Sequence, residues 1–549
     1  MKRWLIALGI LVVLCGGLAV AGRMLLRSIV NGAQKDKIAA TLGEKMGVPV
    51  SIAMIEIDLS QWFRLRPAVA LRDIAIGNPP GFHEKNLIAA KTISARVLLL
   101  PLFHKRVEVQ SIAVESPRIS VETNAKGVTN IEALLKKLSS NSGSPSSSSN
   151  TSISIADFSV TSGELNSKAE NVSLHEINLQ VRGFSLDRAS EISMSAKYAT
   201  GSVSGFKLDG HAGPFKPDSL PVDARLSLTI APNEIPPTLR REQFGVMLAT
   251  PGAKARAGLE ATIKGDAYQS FSGPAKITLS NIMIGGHNDR LLPLSGDAPA
   301  QFKATNLMST PQFDLNIPKA KLQLGKGHWD GSADMRMHGK VIAGSTQGAI
   351  RNIDIDEFLS SFTDSSGRVY GLLAIPSSTL QFSGHNAAET LNSLKGTAKV
   401  TVTQGRLGSM DLLSTLEHAF GSMEETAGAS GNTNFSTLSA NVNIAERKMH
   451  VSDLLLDGPA LRVTGSGVIG FDETINFSLV AHVSGGTLGK VLYTGPLHLP
   501  NMNADVPLTV TGTVQAPRVR PQVGKLAKQT VNQTVRGVVD QFFKKKPQP

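Results

Sequence analysis

A single cysteine, Cys15, and an aromatic content of 5% exclude several kinds of protein at once. One cysteine cannot make a disulfide framework, and its place inside an apolar run leaves no thiolate metal site. The 12 histidines are scattered, with no H-E-x-x-H or H-x-H spacing among them. His328 and His338 are the closest pair and are expected to be surface histidines, able at most to face each other on a hairpin. Neither a G-x-S-x-G elbow nor a Walker loop occurs. His418 with Glu424 and Glu425 reads as a solvated helix end. No catalytic residue, metal ligand or cofactor is therefore assigned.

An excess of positive charge is also missing from most of the chain, although the net charge is +12. Residues 1–47 hold seven basic and two acidic side chains, and residues 521–549 hold six and one, so the 473 residues between carry only +2. A nucleic-acid channel needs cations along its length, so the distribution argues against that partner. The chain is nonetheless 41% hydrophobic over 549 residues, enough for three or four domain equivalents.

What is present begins with Trp4 to Gly22, 19 uncharged residues that can span a bilayer as a helix. Trp4, Leu5, Ile6, Leu11, Val12 and Leu18 are its anchoring side chains. A cleaved signal peptide ending at Ala19-Val20-Ala21 is the alternative, but the run is longer than a signal's apolar region. Leu14 argues against lipid attachment at Cys15.

After a short helix bearing Ile38, Leu42 and Met46, the apolar period becomes two. Ile52 and Met54 begin it, Ile55 and Ile57 resume it out of phase, and Val107/Val109, Ile112/Val114 and Ile119/Val121 follow. Asn130–Leu138 reads as a short helix with Asn130 as N-cap. Residues 139–152, with nine Ser, read as a flexible linker. Alternation then returns at Ile153/Ile155, Ile177/Leu179/Val181, Leu226/Leu228/Ile230, Ile277/Leu279, Leu315/Ile317, Leu322/Leu324, Val400/Val402, Val442/Ile444 and Leu508/Val510. No helix long enough for recurring βαβ units intervenes, so the sheet is expected to be antiparallel. Leu412, Leu413, Leu416 and Phe420 mark one more helix, and residues 522–546 form an amphipathic one ending in Lys544-Lys545-Lys546. Gly465-Ser466-Gly467-Val468-Ile469-Gly470 matches G-x-G-x-x-G, but no helix follows it, so a hairpin turn is expected there.

So much one-faced sheet must cover its apolar face. With few aromatics and only short helices, it either closes into sandwiches or curls around an apolar ligand. An acyl chain of some sixteen carbons gains on the order of 12 kcal/mol on leaving water, at about 0.8 kcal/mol per CH₂. A curled sheet of this length could run on the order of 100 Å at 4.8 Å per strand. Ile177, Leu179, Val181, Leu226, Leu228, Ile230, Ile277, Leu279, Leu322 and Leu324 are the candidate lining of such a lipid groove.

Ile74-Ala75-Ile76-Gly77-Asn78-Pro79-Pro80-Gly81-Phe82, Ala89-Ala90-Lys91-Thr92-Ile93, Val109 to Ile119 and Gly127-Val128-Thr129-Asn130-Ile131 resemble the amino-terminal half of AsmA-family proteins. Leu394 to Val400, Gln404-Gly405-Arg406-Leu407, Ser452 to Pro459, Gly465 to Gly470 and Val510 to Val519 resemble that family's carboxy-terminal region. The resemblance implies a Gram-negative envelope protein, single-pass in the inner membrane with its bulk in the periplasm. The family is similar to TamB and the bridge-like lipid transfer proteins, whose curled β-groove carries phospholipid between membranes, and is linked to outer-membrane integrity. It brings no catalytic residues. The implied partners are the inner membrane, phospholipid and, through the C-terminal end, the outer membrane or one of its proteins.

The expected fold is thus mainly β: a transmembrane anchor (1–30), an AsmA-like N-terminal domain (31–138), the Ser-rich linker (139–152), a middle β-groove (153–393), an AsmA-like C-terminal β region (394–520) and a basic amphipathic tail (521–549). The expected function is phospholipid carriage between the two membranes. The alternative is a non-catalytic periplasmic scaffold or assembly factor for outer-membrane proteins.

Overall fold

The computed structural model describes residues 35–58, 60, 64, 66–98, 107–125, 127–134, 153–167, 172–184, 188–214, 216, 219–234, 254–287, 290–307, 310–363, 366–408, 410–422, 426–427, 430–459, 461–483 and 504–522. Among these no helix is long and apolar enough to cross a membrane. The expected anchor, the Ser-rich run and the basic tail beyond Gln522 lie outside the described residues. The chain forms two compact units: Met1–Glu234 with Ala257–Ile277 and Ala300–Leu315, and Ile235–Arg256 with Thr278–Pro299 and Asn316–Pro549. Both are mainly β with a few short helices.

In the first unit, helix α1 (Lys35–Met46) precedes β1 (Val50–Asp58), β2 (Ala68–Gly77), β3 (Asn86–Leu98), β4 (Val107–Glu115), β5 (Arg118–Val121), β6 (Ile153–Ser167), β7 (Val172–Phe184), β8 (Ser190–Lys197), β9 (Gly205–Ala212), β10 (Pro221–Ile230) and β11 (Arg256–Asp266). Neighbours in this order pair antiparallel, except that β4 and β5 together occupy one position beside β3. Pro117, which cannot donate to a ladder, separates them, and Ser116 turns left-handed there at φ 48°. The expectation of purely antiparallel pairing fails at one place: β6 runs parallel to β4 and β5. Helix α2 (130–134) lies in the connection between them, so this is a single βαβ-like crossover. Pairing of β4 with β6 carries the sheet past residues 139–152.

Strands β12 (Ser270–His287), β13 (Arg290–Thr305) and β14 (Gln312–Leu324) have residues in both units. The second unit continues with β15 (Gly327–His338), β16 (Val341–Asp354), α3 (Ile355–Phe362), β17 (Val369–Gly384), α4 (Ala387–Ser393), β18 (Lys395–Leu407), α5 (Leu412–Ser422), β19 (Thr426–Ala427), β20 (Thr433–Ala445), β21 (Lys448–Asp457), β22 (Arg462–Gly470), β23 (Thr474–Val483), β24 (Ala504–Thr513) and β25 (Pro517–Pro521). Within it the ladder runs β15-β16-β17-β18-β20-β21-β22-β23-β24-β25 antiparallel, and β19 pairs with β25 rather than with its sequence neighbours.

Polar residues in left-handed backbone interrupt the alternation inside strands, among them Asp73, Ser162, Gln404 and Asp453 with φ between 46° and 53°. Such side chains tolerate that region better than β-branched ones. Across each, the inward residue steps by three instead of two: Leu71 to Ile74, Val160 to Gly163, Val402 to Gly405, Val451 to Leu454, all but Leu454 buried. The phase change at Met54/Ile55 is the β1 side of the irregularity at Asp73.

His328 and His338 prove to share one strand, β15, at opposite ends, about 33 Å apart at strand rise, so they do not face each other across a hairpin. Gly465–Gly470 is the body of β22 and not a turn. A side chain at Gly467 would collide with the Phe477 ring on β23, and one at Gly465 with the Ser478 carbonyl.

A candidate apolar binding face

Cross-strand register turns the apolar alternation into transverse rows. In the first unit one row reads Ile55, Leu71, Ile93, Val114, Val160, Leu179, Met194, Leu208, Leu226, Ala261 over ten strand positions. Its neighbour reads Ile57, Val69, Ala95, Ile112, Phe158, Val181, Ile192, Gly210, Ala224, Ile263. Burial fades along the first row. Leu71 to Leu179 are sealed in a core that α1 reaches with Ile38 and Leu42. Met194, Leu208 and Leu226 are only half-buried.

The second unit repeats the contrast along the strands. The row Ile353, Leu373, Val402, Leu438, Leu456, Val463, Ala481, Val506 lies in a core that includes Leu416 of α5 and the partly buried Phe358, Leu359 and Phe362 of α3. Asp354 caps α3 by accepting from the Asp356 and Glu357 N–H groups. Farther along the same strands, Leu380, Gly396, Ile444, Met449, Ile469 and Ile475 form a row in which every residue is half-buried. Phe382 and Phe477 flank it, also half-buried. The opposite face of these strands carries Lys395, Thr397, Lys399, Asn441, Asn443, Asn476 and Ser478, all exposed. Among the described residues a row without charge is thus set against a wet face.

The path of β19 shows that this sheet curls. Ala427 in β19 and Thr433 at the start of β20 are six residues apart, so at most about 22 Å separates them. On a flat sheet, six strand spacings would place them about 29 Å apart. Because α5, on the same excursion, buries Leu416 in the apolar core, the curl is toward the apolar face.

The candidates read from sequence divide accordingly. Leu179, Val181 and Leu324 are sealed within cores. Ile177, Leu226, Leu228, Ile277, Leu279 and Leu322 are half-buried, and Ile230 is exposed at a strand end. Register brings Leu228 between Phe206 and Leu259, beside Leu226. Sequence reading missed Leu380, Phe382, Met449, Ile469, Ile475 and Phe477. Gly or Ser at the matching positions of neighbouring strands breaks the simple apolar count there.

Polar groups elsewhere form local knots. Glu234 accepts from the Val203 and Ser204 N–H groups at 2.8 and 2.7 Å and from the Ser202 hydroxyl. Burial alone would raise its carboxyl, but these bonds more than offset that and hold it at about 2. His482 Nδ1 lies 2.7 Å from Asp505 Oδ1 and its Nε2 lies 3.0 Å from Thr464 Oγ1, on the polar face with Asp505 in solvent. His418 Nδ1 is 2.7 Å from the Ser414 carbonyl, and Glu424 and Glu425 lie outside the described residues. Among the described residues no three His, Cys, Asp or Glu converge as metal ligands.

No curated protein and no solved structure matches the chain. The motifs that resemble one family do meet in space. Asn130 Nδ2 donates to Asn78 Oδ1 at 2.9 Å and to the Ser120 carbonyl at 2.7 Å, joining the Asn78–Phe82 and Gly127–Ile131 segments. Residues 1–221 match the sequence model of that family, a span reaching the first residue of β10 and leaving the resemblance over 394–520 outside it. The family whose model residues 1–221 match is the AsmA family.

Proposed function

We propose that this protein is anchored in the inner membrane of a Gram-negative envelope and carries phospholipid along its apolar β-face through the periplasm, supporting outer-membrane biogenesis and integrity. The observation that carries the reading is the half-buried row Leu380, Ile444, Met449, Ile469, Ile475, with Met194, Leu208 and Leu226 half-buried beside the cores of the first unit. Side chains held in register but left half-exposed gain from covering by something apolar, at about 25 cal/mol per Å². Repeated Gly, Ala, Val and Ile offer an acyl chain similar burial at successive positions, so it can shift without a deep trap. The match of residues 1–221 to the AsmA family supports the setting.

Photo-crosslinking in cells tests it. A photoreactive residue at Ile444 or Leu226 is expected to capture phospholipid, whereas one at Asn443 or Arg225, on the opposite face, is not. Leu228→Asp and Leu279→Asp are expected to block transfer while the protein stays folded. Equal capture on both faces, or none on either, returns the protein to the scaffold reading.

A further inference from the structure

The polar face of the second unit has a feature that lipid carriage does not use. A depression of about 710 Å³ crosses β15 to β21. Its floor is the backbone under four facing residues, Gly348, Ser378, Ala398 and Val442. One wall is the cross-strand row Gln347, Thr379, Thr397, Asn443. The other is Ser377, Lys399, Asn441 and Ser452, continued by Asp330 and Arg351 at the β15 end.

The trench has a backbone cause. Register shifts fall between Gly348 and Ile350, Ala374 and Ser377, Ser439 and Asn441, and Val451 and Leu454. Successive bulges at one level of neighbouring strands bend the sheet along a line. Pro376, without an N–H, sits in the same line.

We propose that this trench binds a linear, anionic glycan lying across the strands. Its length over five strand spacings is about 24 Å, which suits an extended polymer. Thr379 and Thr397 share a 2.9 Å hydrogen bond, and Asn441 donates to Asp453 at 2.8 Å. Gln347, Ser377 and Asn443 make no such side-chain bond among the described residues, and neither Lys399 nor Arg351 has an ion-pair partner there. Amide and hydroxyl groups on both walls match a chain of sugar hydroxyls, and Lys399 and Arg351, set against Asp330 in the lining and Asp453 behind Asn441, can each take a carboxylate or phosphate substituent. Two cations are too few for a nucleic-acid backbone. A peptide strand finds no open ladder edge here, and a lipid tail finds no apolar wall.

The test uses the full-length protein in detergent and titration calorimetry with a galacturonate hexamer, against an uncharged N-acetylglucosamine hexamer. Saturable binding of the anionic hexamer is expected. Lys399→Gln combined with Arg351→Gln should weaken it at least tenfold, more so at low salt, and Thr397→Trp should abolish it. Asn476→Trp, on the same face outside the trench, should leave it unchanged, and each variant should keep the parent's circular dichroism. No saturable binding, equal binding of the uncharged hexamer, or indifference to the trench variants would overturn the proposal. None of those results touches the lipid reading, which concerns the other face.

Discussion

Asn130 shows how much one buried side chain can organise. Fully buried, it accepts from the Glu122 N–H at 3.1 Å while its amide holds Asn78 and Ser120. Glu122 in turn accepts from the His83 and Glu84 N–H groups, so two loops and a strand end share one polar knot. The sequence makes Asn130 a natural N-cap, but that role belongs to Thr129. Its hydroxyl accepts from the Glu132 N–H at 3.2 Å while Glu132 accepts from the Thr129 N–H at 3.0 Å. This T-x-x-E capping box was legible in the residues, and the buried role of Asn130, which depends on partners 10 and 52 positions away, was not. Glu234 permits a prediction at the same scale. Its carboxyl is ordinarily near 4.5 and is held at about 2 in the fold, so its contribution is complete above pH 4.5 and is lost as pH falls toward 2. Amide exchange of Val203 and Ser204, corrected for intrinsic rates, should lose protection between those values. In Glu234→Gln the protection should be weak already at pH 6 and flat on acidification. A parallel pH response in both proteins would assign the bond no such role.

At the scale of elements, most strands were visible because polar and apolar residues alternate over them. What hid others was the left-handed polar residue inside a strand, which replaces a two-residue step with a three-residue one. A search for strict period two reads Val451 and Leu454 as belonging to opposite faces, yet a bulge puts both inward. The parallel crossover was hidden for a different reason: the helix at Asn130 is legible, but nothing local says that β6 will pair alongside β4 and β5 rather than antiparallel to them. The helices α3 and α5 decide which rows are sealed. Leu416 of α5 is 3% exposed, and Leu416→Ala should destabilise the second unit by about 2–4 kcal/mol in chemical denaturation. A loss below about 1 kcal/mol would mean that the strands close over the gap without the helix.

For the whole molecule, charge divides the sequence. The net positive charge lies at the two ends of the sequence, and the nearly neutral stretch between supplies the strands. The apolar rows were foreseeable as residue types, but which of them stay uncovered depends on where the helices lie, and no periodicity encodes that. The placement of β19 has a further consequence, in the order of assembly. Thr426 and Ala427 pair with Val519 and Arg518, so β19 has no docking edge until β20 to β25 have been synthesised and laid down. That contact joins residues more than 90 positions apart, which makes its closing slow. Pulse-labelled exchange during refolding should therefore show Thr415 and Leu416 gaining protection last, after Val442 and Leu479. Protection of α5 in the earliest phase would contradict that order. Until β19 locks, the nascent sheet exposes the row from Val402 to Val506, and this interval is when the chain most needs a chaperone.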